Sequence, residues 1–393
     1  MTKTFILSTL ELDSPALAVE EILSELAAKT AVSPLLKNTV GIISCHHEFV
    51  HSEVVAAVCA ALPFDVCGMV ASPSSTGDRT GSLVLQIYCI TADDVEFEIV
   101  LTPPLVTDPY PAVYASYKAA ADKRDTPPRL ALFYGPFMQA NSGDEYLNAL
   151  TKAYKGVPIF GSLAVDDTQD FANSYTIHNG AHFSDRAVLV LAYGNISPRF
   201  YVSNISPGRI SEKAAIITKS SGHLVQEVNG RPVREYFADM GLAKASELRF
   251  AMSMLAFVID YNDDTPLVAR MFVIATDDGH ALYAGGMPEG AHMYLAPSDK
   301  TDVLHTTGIT LKEISGELDN LTARGTPASG ALIHTCVARA ISMGMDTFAE
   351  LDLIKDTLFG KIPYLATYSG GEFCPTTMDM NRFHNNSLVI CVF

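Results

Sequence analysis

Residues 130–161, LALFYGPFMQANSGDEYLNALTKAYKGVPIFG, hold the pattern on which the fold turns. Leu130–Tyr134 is an apolar run of strand length, ended by a polar loop from Gly135 to Gly143. A helical pattern covers Gly143–Lys155, and a second short apolar run closes on Gly161. The order strand, polar loop, helix, strand, Gly recurs in Val40–Gly68 and in Ala331–Gly370. Such alternation is the signature of an α/β protein. Identity among these segments is slight, so internal duplication and ordinary α/β grammar both remain open.

Further strands are expected at Val66–Ala71, Leu83–Ile90, Phe97–Leu101, Ala187–Tyr193, Val268–Ala275, Tyr364–Thr367 and Leu388–Phe393. Helices are expected at Pro15–Lys29, Ser52–Leu62, Pro109–Asp122, Asp299–Ala323 and Thr347–Leu358. A chain of 393 residues exceeds the size at which one core usually keeps growing. Two domains are therefore expected, 1–206 and 214–393, joined through Asn204–Lys213 with Ser206-Pro207-Gly208 at its centre. The expected fold class is α/β: mixed sheets with flanking helices, and a ligand cleft between the domains or at strand carboxyl ends. If the strands lie parallel in shared sheets, the loops meeting there are Ser44–His47, Ser72–Gly77, Gly135–Gly143, Ser162–Asp167, Cys336–Arg339 and Ser369–Cys374.

Lys and Arg number 27 against 44 Asp and Glu, a formal net charge of −17. Nucleic acids and anionic membranes are polyanions, so this balance argues against non-specific binding to either. A hydrophobic share of 48% with 18% charged residues suits a packed globular chain. Seven cysteines, an odd number set mostly in apolar stretches, read as reduced thiols. Glu11 and Asp13 stand where a secretory apolar core would continue, and no apolar run approaches the roughly 18 residues of a membrane span. A cytoplasmic location is the expectation.

His47-Glu48-Phe49-Val50-His51 fits HExxH, in which histidines one helical turn apart hold zinc and the Glu acts as base. That geometry needs the whole motif to be helical. The motif directly follows the Val40–Ser44 run, so the helix is expected at or after it, with Ser52 as N-cap and Glu53 in the first turn. No third ligand follows nearby, and solvated loop histidines are the preferred reading. Ser72–Gly77, with Thr76, could hold an anion through hydroxyls and backbone N–H groups, or simply connect two strands; it lacks the Lys of a P-loop.

Cys336 beside Arg339 has the makings of a low-pKa nucleophile, with His384 and Glu372 further along the same region. A buried structural or pocket-lining Cys is preferred. In Tyr368-Ser369-Gly370-Gly371-Glu372-Phe373-Cys374-Pro375, paired glycines let the backbone approach a ligand closely, with Glu372 on the turn. His384-Asn385-Asn386-Ser387, dense in donors and acceptors, precedes the terminal apolar run as a strand cap, a polar pocket wall, or both.

These last residues resemble the closing signature of the FIST domain family, a Gly-rich turn with Glu followed by a terminal His-Asn-x-Ser/Thr strand. Val228-Asn229-Gly230-Arg231-Pro232-Val233, Met287-Pro288-Glu289-Gly290, and Cys336-Val337-Ala338-Arg339 with Gly344 resemble its C-terminal half. Pro158–Ala164 with Asp166, Asn179-Gly180 and Ala187–Tyr193 follow the order of its N-terminal half. The resemblance implies a sensory module for amino-acid-like or other small organic ligands, found fused to or encoded near histidine kinases and cyclic-dinucleotide enzymes. One branch binds haem and senses nitric oxide, which would need an axial ligand such as His384, His334 or His305.

The combined expectation is a free-standing small-ligand sensor signalling in trans to a separate output protein. Its ligand site comprises Cys336, Arg339, Glu372, Tyr368, His384, Asn385, Asp166 and Thr76. Arg339 supplies an anion-binding fork, while Glu372 and Asp166 receive cationic or donor groups. The rival readings are a haem-binding gas sensor, a thiol-dependent enzyme using Cys336, a metal-dependent one using His47 and His51, and an assembly protein with no small-molecule occupant.

Overall fold

The computed structural model describes residues 2–105, 108–138, 141–168, 171–241, 255–262, 265–377 and 380–393. Its fold is α/β, with mixed sheets and flanking helices.

Three six-stranded sheets share one plan. The first orders its strands Thr2–Thr9, Leu85–Ala92, Asn38–Cys45, Asp65–Val70, Thr176–His178, Ala181–Phe183. The second runs Val95–Leu101, Val188–Gly194, Leu130–Gly135, Ile159–Leu163, Glu372–Thr377, Met380–His384. The third runs Arg199–Ser203, Leu388–Val392, Ala331–Cys336, Tyr364–Ser369, Ser74–Ser75, Thr80–Gly81. In each, the central pair is parallel. Such a pair needs a crossover, and helical segments supply it. The strands bordering each pair are antiparallel to it.

These parallel pairs are the recurring segments of the sequence. Each unit runs strand, helix, strand, helical crossover, strand, hairpin, strand, and the unit occurs three times. The expectation that the pairs would share sheets is corrected: each has its own. What unites them is an exchange of hairpins. The first unit's hairpin, Ser74–Ser75 with Thr80–Gly81, completes the third sheet; the second unit's completes the first; the third unit's completes the second. Loop backbone closes the ring. Val165 N–H donates to the Val70 carbonyl at 3.1 Å, Gly370 N–H to Leu163 at 2.8 Å, and Tyr368 N–H to Pro73 at 3.1 Å.

The inner faces of the sheets meet in one core that includes Ile42, Tyr88, Leu132, Phe160, Leu332 and Leu365. Helices cover the outer faces: Pro15–Val32 and Val54–Ala61 on the first, Tyr110–Ala121 and Gly143–Ala153 on the second, Lys300–Ala323 and Ala349–Leu358 on the third. Their starts are chemically marked. Ser142 and Glu145 form a capping box, and Asp299 accepts from Asp302 N–H. Within the parallel pairs, Gly68 and Gly161 have φ of +155° and +146°, and an added Cβ would lie 2.1 and 1.9 Å from the carbonyl oxygens of Ile43 and Phe133. Only glycine fits there. The third unit carries Ala366 at the matching register.

Between the third unit's first strand and its long helix, residues 214–297 form a seven-stranded antiparallel sheet. The Ala214–Ser221 strand also pairs with Leu224–Val228, curling this inserted sheet on itself. One face packs on the Val233–Asp239 helix. The other meets Cys336 and Ala338 of the third unit. The Asn204–Lys213 connection includes a short 3₁₀ turn, Pro207–Arg209, and is held to the long helix where Ser206 bonds Asp302. Residues 331–392 supply strands to the second and third sheets, so the three-sheet body draws on chain from both sides of that connection.

One further element differs from expectation. Glu48–His51 is a helical turn and His47 has helical φ and ψ, so all of HExxH is helical. Glu53, at φ +63°, breaks the chain before the Val54–Ala61 helix begins.

Candidate functional site

The segment joining the Met380–His384 and Leu388–Val392 strands passes where the inserted sheet meets the body. Arg270 of the inserted sheet is fully buried. It pairs with Asp144 at 2.9 Å and donates to the Phe383 carbonyl at 2.8 Å. Asp144 also accepts from Gly286 N–H at 2.7 Å, pinning sheet to body. One residue beyond Phe383 begins the His384–Ser387 run.

That run is buried throughout. His384 Nε2 lies 3.2 Å from the Cys374 carbonyl, and burial holds its pKa down to about 3, so the ring is neutral. The Asn386 carbonyl accepts from Arg339 at 3.4 Å, and the Ser387 carbonyl from Cys336 N–H at 2.9 Å. Both side-chain amide atoms of Asn385, both of Asn386 and Nδ1 of His384 are buried with no hydrogen-bond partner among the described residues. Such a group costs about 1–3 kcal/mol when left unmet.

Glu372 faces the same run. Ser369 and Ser387 hydroxyls donate to its two carboxyl oxygens at 3.0 and 2.8 Å. Burial pushes its pKa up to about 8, so near neutral pH the acid is largely protonated and both gives and takes hydrogen bonds.

Arg339 and Tyr368 converge on Glu350. Arg339 Nε and Nη2 reach Glu350 Oε1 at 2.9 and 2.7 Å, and Tyr368 donates to Oε2 at 3.1 Å. Thr307 and Thr335 complete the shell at 2.6 and 2.9 Å. Burial opposes charge on Arg339, but the Glu350 carboxylate outweighs it and leaves the guanidinium pKa above its usual value. The fork expected to face a ligand is thus engaged within the protein, and its remaining amine steadies the Asn386 carbonyl. Burial pushes the Cys336 thiol up, the reverse of an activated nucleophile.

Cys336, Arg339, Tyr368, Glu372, His384 and Asn385 therefore come together around one loop. The structure does not bring Asp166 and Thr76 into this cluster: Asp166 accepts from Thr168 N–H at 2.7 Å, and Thr76 bonds Arg79, each within its own loop. Sequence reasoning missed Arg270 and Asp144, which lie 126 residues apart, and Glu350, which packing of its helix brings onto Arg339 and Tyr368. It passed over Asn386 although that residue stood inside the run already singled out.

Two open cavities lie elsewhere. One of about 740 Å³ borders Arg199, Lys312, Glu313 and Arg324, and one of about 610 Å³ borders Arg129, Lys155, Pro198 and Pro375. Both are open and lack the unmet buried groups of the 384–387 run, so chemistry outweighs volume in placing the site. The histidines considered for haem do not fit it. His384 is engaged with Cys374, His334 is enclosed between the Tyr134 and Phe160 rings, and His305 is exposed on the long helix.

The molecule is thus an α/β protein whose body and inserted part meet at a buried polar seam. The chain belongs to the FIST family: the FIST N domain matches residues 39–231 and the FIST C domain residues 233–375. FIST domains are small-ligand-sensing domains of signal transduction. The two matches meet inside the inserted sheet region, next to the Arg231–Pro232 strand. None of the curated proteins compared matches the chain. Among the described residues, no helix is long and apolar enough to cross a membrane.

Proposed function

We propose that the protein binds a small organic ligand at the Glu372–Asn385–Asn386 seam and reports occupancy in trans to a separate signalling protein, such as a histidine kinase or cyclic-dinucleotide enzyme. The observation that supports this reading is the pair of buried asparagine amides with no partner among the described residues. Two neighbouring amides offer donors and acceptors together, which suits a ligand presenting both, as an amino acid does. Neutral Glu372 adds a carboxyl able to do either. Cys336 lines the same region, and Arg339 acts from behind by holding the loop. Because Arg270 fastens the inserted sheet to Phe383, a ligand seated one residue away biases how the two parts sit, and so changes a partner-facing surface.

Native mass spectrometry of gently purified protein, followed by a thermal-shift screen of amino acids and related small molecules, tests the reading. A discrete occupant, or a compound raising the Tm of wild type but not of Asn385→Ala, is the expected result. At a hundredfold excess over Kd, binding stabilises by about 2.7 kcal/mol. A protein that carries nothing, responds to nothing in the screen and forms a stable oligomer would instead support an assembly role.

A further inference from the structure

The repeated units make a comparison within one molecule. At the carboxyl end of each unit's first parallel strand, a loop from the next unit crosses over. In the second unit the crossing loop sets Gly370 against Leu163 and Phe137, and in the third it sets Pro73 against Tyr368. In the first unit, the Asn38–Cys45 strand leads into His46 and His47, and the crossing loop brings Asp167. Among the described residues, the groups of three or more donors that could hold a metal ion lie at this end.

Both histidines are 7% exposed, and their ring centroids lie 4.2 Å apart. His46 Nε2 is 3.2 Å from Asp167 Oδ2, and His47 Nδ1 is 3.5 Å from Oδ1. His47 Nδ1 is buried and makes no hydrogen bond among the described residues. The ligand atoms of this trio all lie within 4.8 Å of one another. We propose that His46, His47 and Asp167 bind a divalent late transition-metal ion, with zinc as the natural probe. Metal–nitrogen and metal–oxygen bonds of about 2.0–2.2 Å in a tetrahedron place neighbouring donors roughly 3.4 Å apart, close to the separations found. Imidazole with carboxylate suits zinc and its neighbours, whereas calcium and magnesium take oxygen donors.

The trio is distinct from the HExxH arrangement. Glu48 Oε1 and the His51 ring sit toward the other side of His47, with Glu48 3.4 Å from Nε2. Glu48 N–H now approaches His46 Nδ1 at 3.3 Å, so coordination through Nε2 moves the ring proton to Nδ1 and loosens that long contact. The Asp167 side chain is 62% exposed, leaving a solvent-side position for water and a route of entry. An ion there would clip the Asp167 segment of the second unit onto the first unit.

The test is zinc chloride titrated calorimetrically into chelator-stripped full-length protein, with bound metal counted by plasma mass spectrometry after desalting. One zinc per chain is expected. Asp167→Ala and His46→Gln should each weaken binding at least tenfold, while His51→Gln leaves it unchanged. Asp167 is exposed enough that its replacement keeps the far-UV spectrum of wild type. Zinc no higher than in the buffer control, or equal affinity in Asp167→Ala, overturns the proposal. Loss of binding in His51→Gln with Asp167→Ala unaffected also overturns this trio and assigns zinc to the HExxH face.

Discussion

Glu350 and Glu372 are both fully buried acids on the third unit, and they are treated in opposite ways. Glu350 is met by a guanidinium, two threonine hydroxyls and a tyrosine hydroxyl. Glu372 is met by two serine hydroxyls, and no basic side chain pairs with it among the described residues. The first acid is saturated, so its cluster has no valence left for a visitor. The second sits beside amides that have no partner. Within one few-residue neighbourhood, the fold thus separates a structural polar cluster from one with unused hydrogen-bonding capacity. That difference, more than burial or proximity, is what the proposed ligand site rests on.

The largest effect should come from breaking the saturated cluster. Removing one partner of a buried ion pair leaves the other charge stranded, at a cost of about 3–5 kcal/mol. Arg339→Met should lower stability by that amount in urea unfolding. The double variant Arg339→Met with Glu350→Leu should recover much of it, because no lone charge remains. A cost below 1 kcal/mol for the single change would show that the cluster is not the structural element described.

Much of this fold was legible in sequence. Every expected strand and helix has a counterpart within a few residues, because apolar runs of strand length and capped helical patterns are local signals. The hairpin exchange was not legible, since the partner of Glu372–Thr377 is the Ile159–Leu163 strand of a different unit. His46 and Asp167, 121 residues apart, meet for the same reason. The helical state of HExxH was missed because the sequence seemed to leave no room for a turn before the next helix. Glu53 makes that room by adopting a left-handed conformation that few side chains take. For the candidate site, sequence pointed to residues of which Cys336, Arg339, Tyr368, Glu372, His384 and Asn385 gather around one loop. It misread Arg339, whose partner Glu350 is reached only through packing of the Ala349–Leu358 helix.

A smaller effect separates the two acids by pH. The folded-state pKa of Glu372, about 8, lies above its ordinary 4.5, so the native state holds this proton more tightly than the unfolded chain. Its contribution is full below about pH 4.5 and is lost as pH rises through 8. The slope from one such group is at most about 1.4 kcal/mol per pH unit. Neutral His384 acts in the other direction, its contribution present above 6.5 and lost as pH falls toward 3. From pH 6.5 to 8 the acid therefore lowers stability as pH rises, and its share is read by difference from a variant that cannot ionise. Glu372→Gln, which mimics the protonated form, should flatten that part of the profile relative to wild type. An unchanged slope would mean that Glu372 is not the group releasing the proton.

The smallest expected effect is the most discriminating. Asn386 has φ of +49°, a conformation glycine adopts freely, and its contact with Arg339 runs through the backbone carbonyl. Asn386→Gly therefore deletes only the unpartnered amide. Glycine's added freedom in the unfolded chain costs about 0.5–1 kcal/mol. Relief of an unmet buried polar group returns about 1–3 kcal/mol. Allowing for the small void left behind, the free protein should stay within about 1 kcal/mol of wild type, while any ligand-induced rise in Tm disappears. A side chain whose loss leaves the empty protein untouched yet abolishes its response is one kept for binding. If Asn386→Gly instead unfolds as readily as Arg339→Met, the amide has structural partners and the contrast between the two clusters fails.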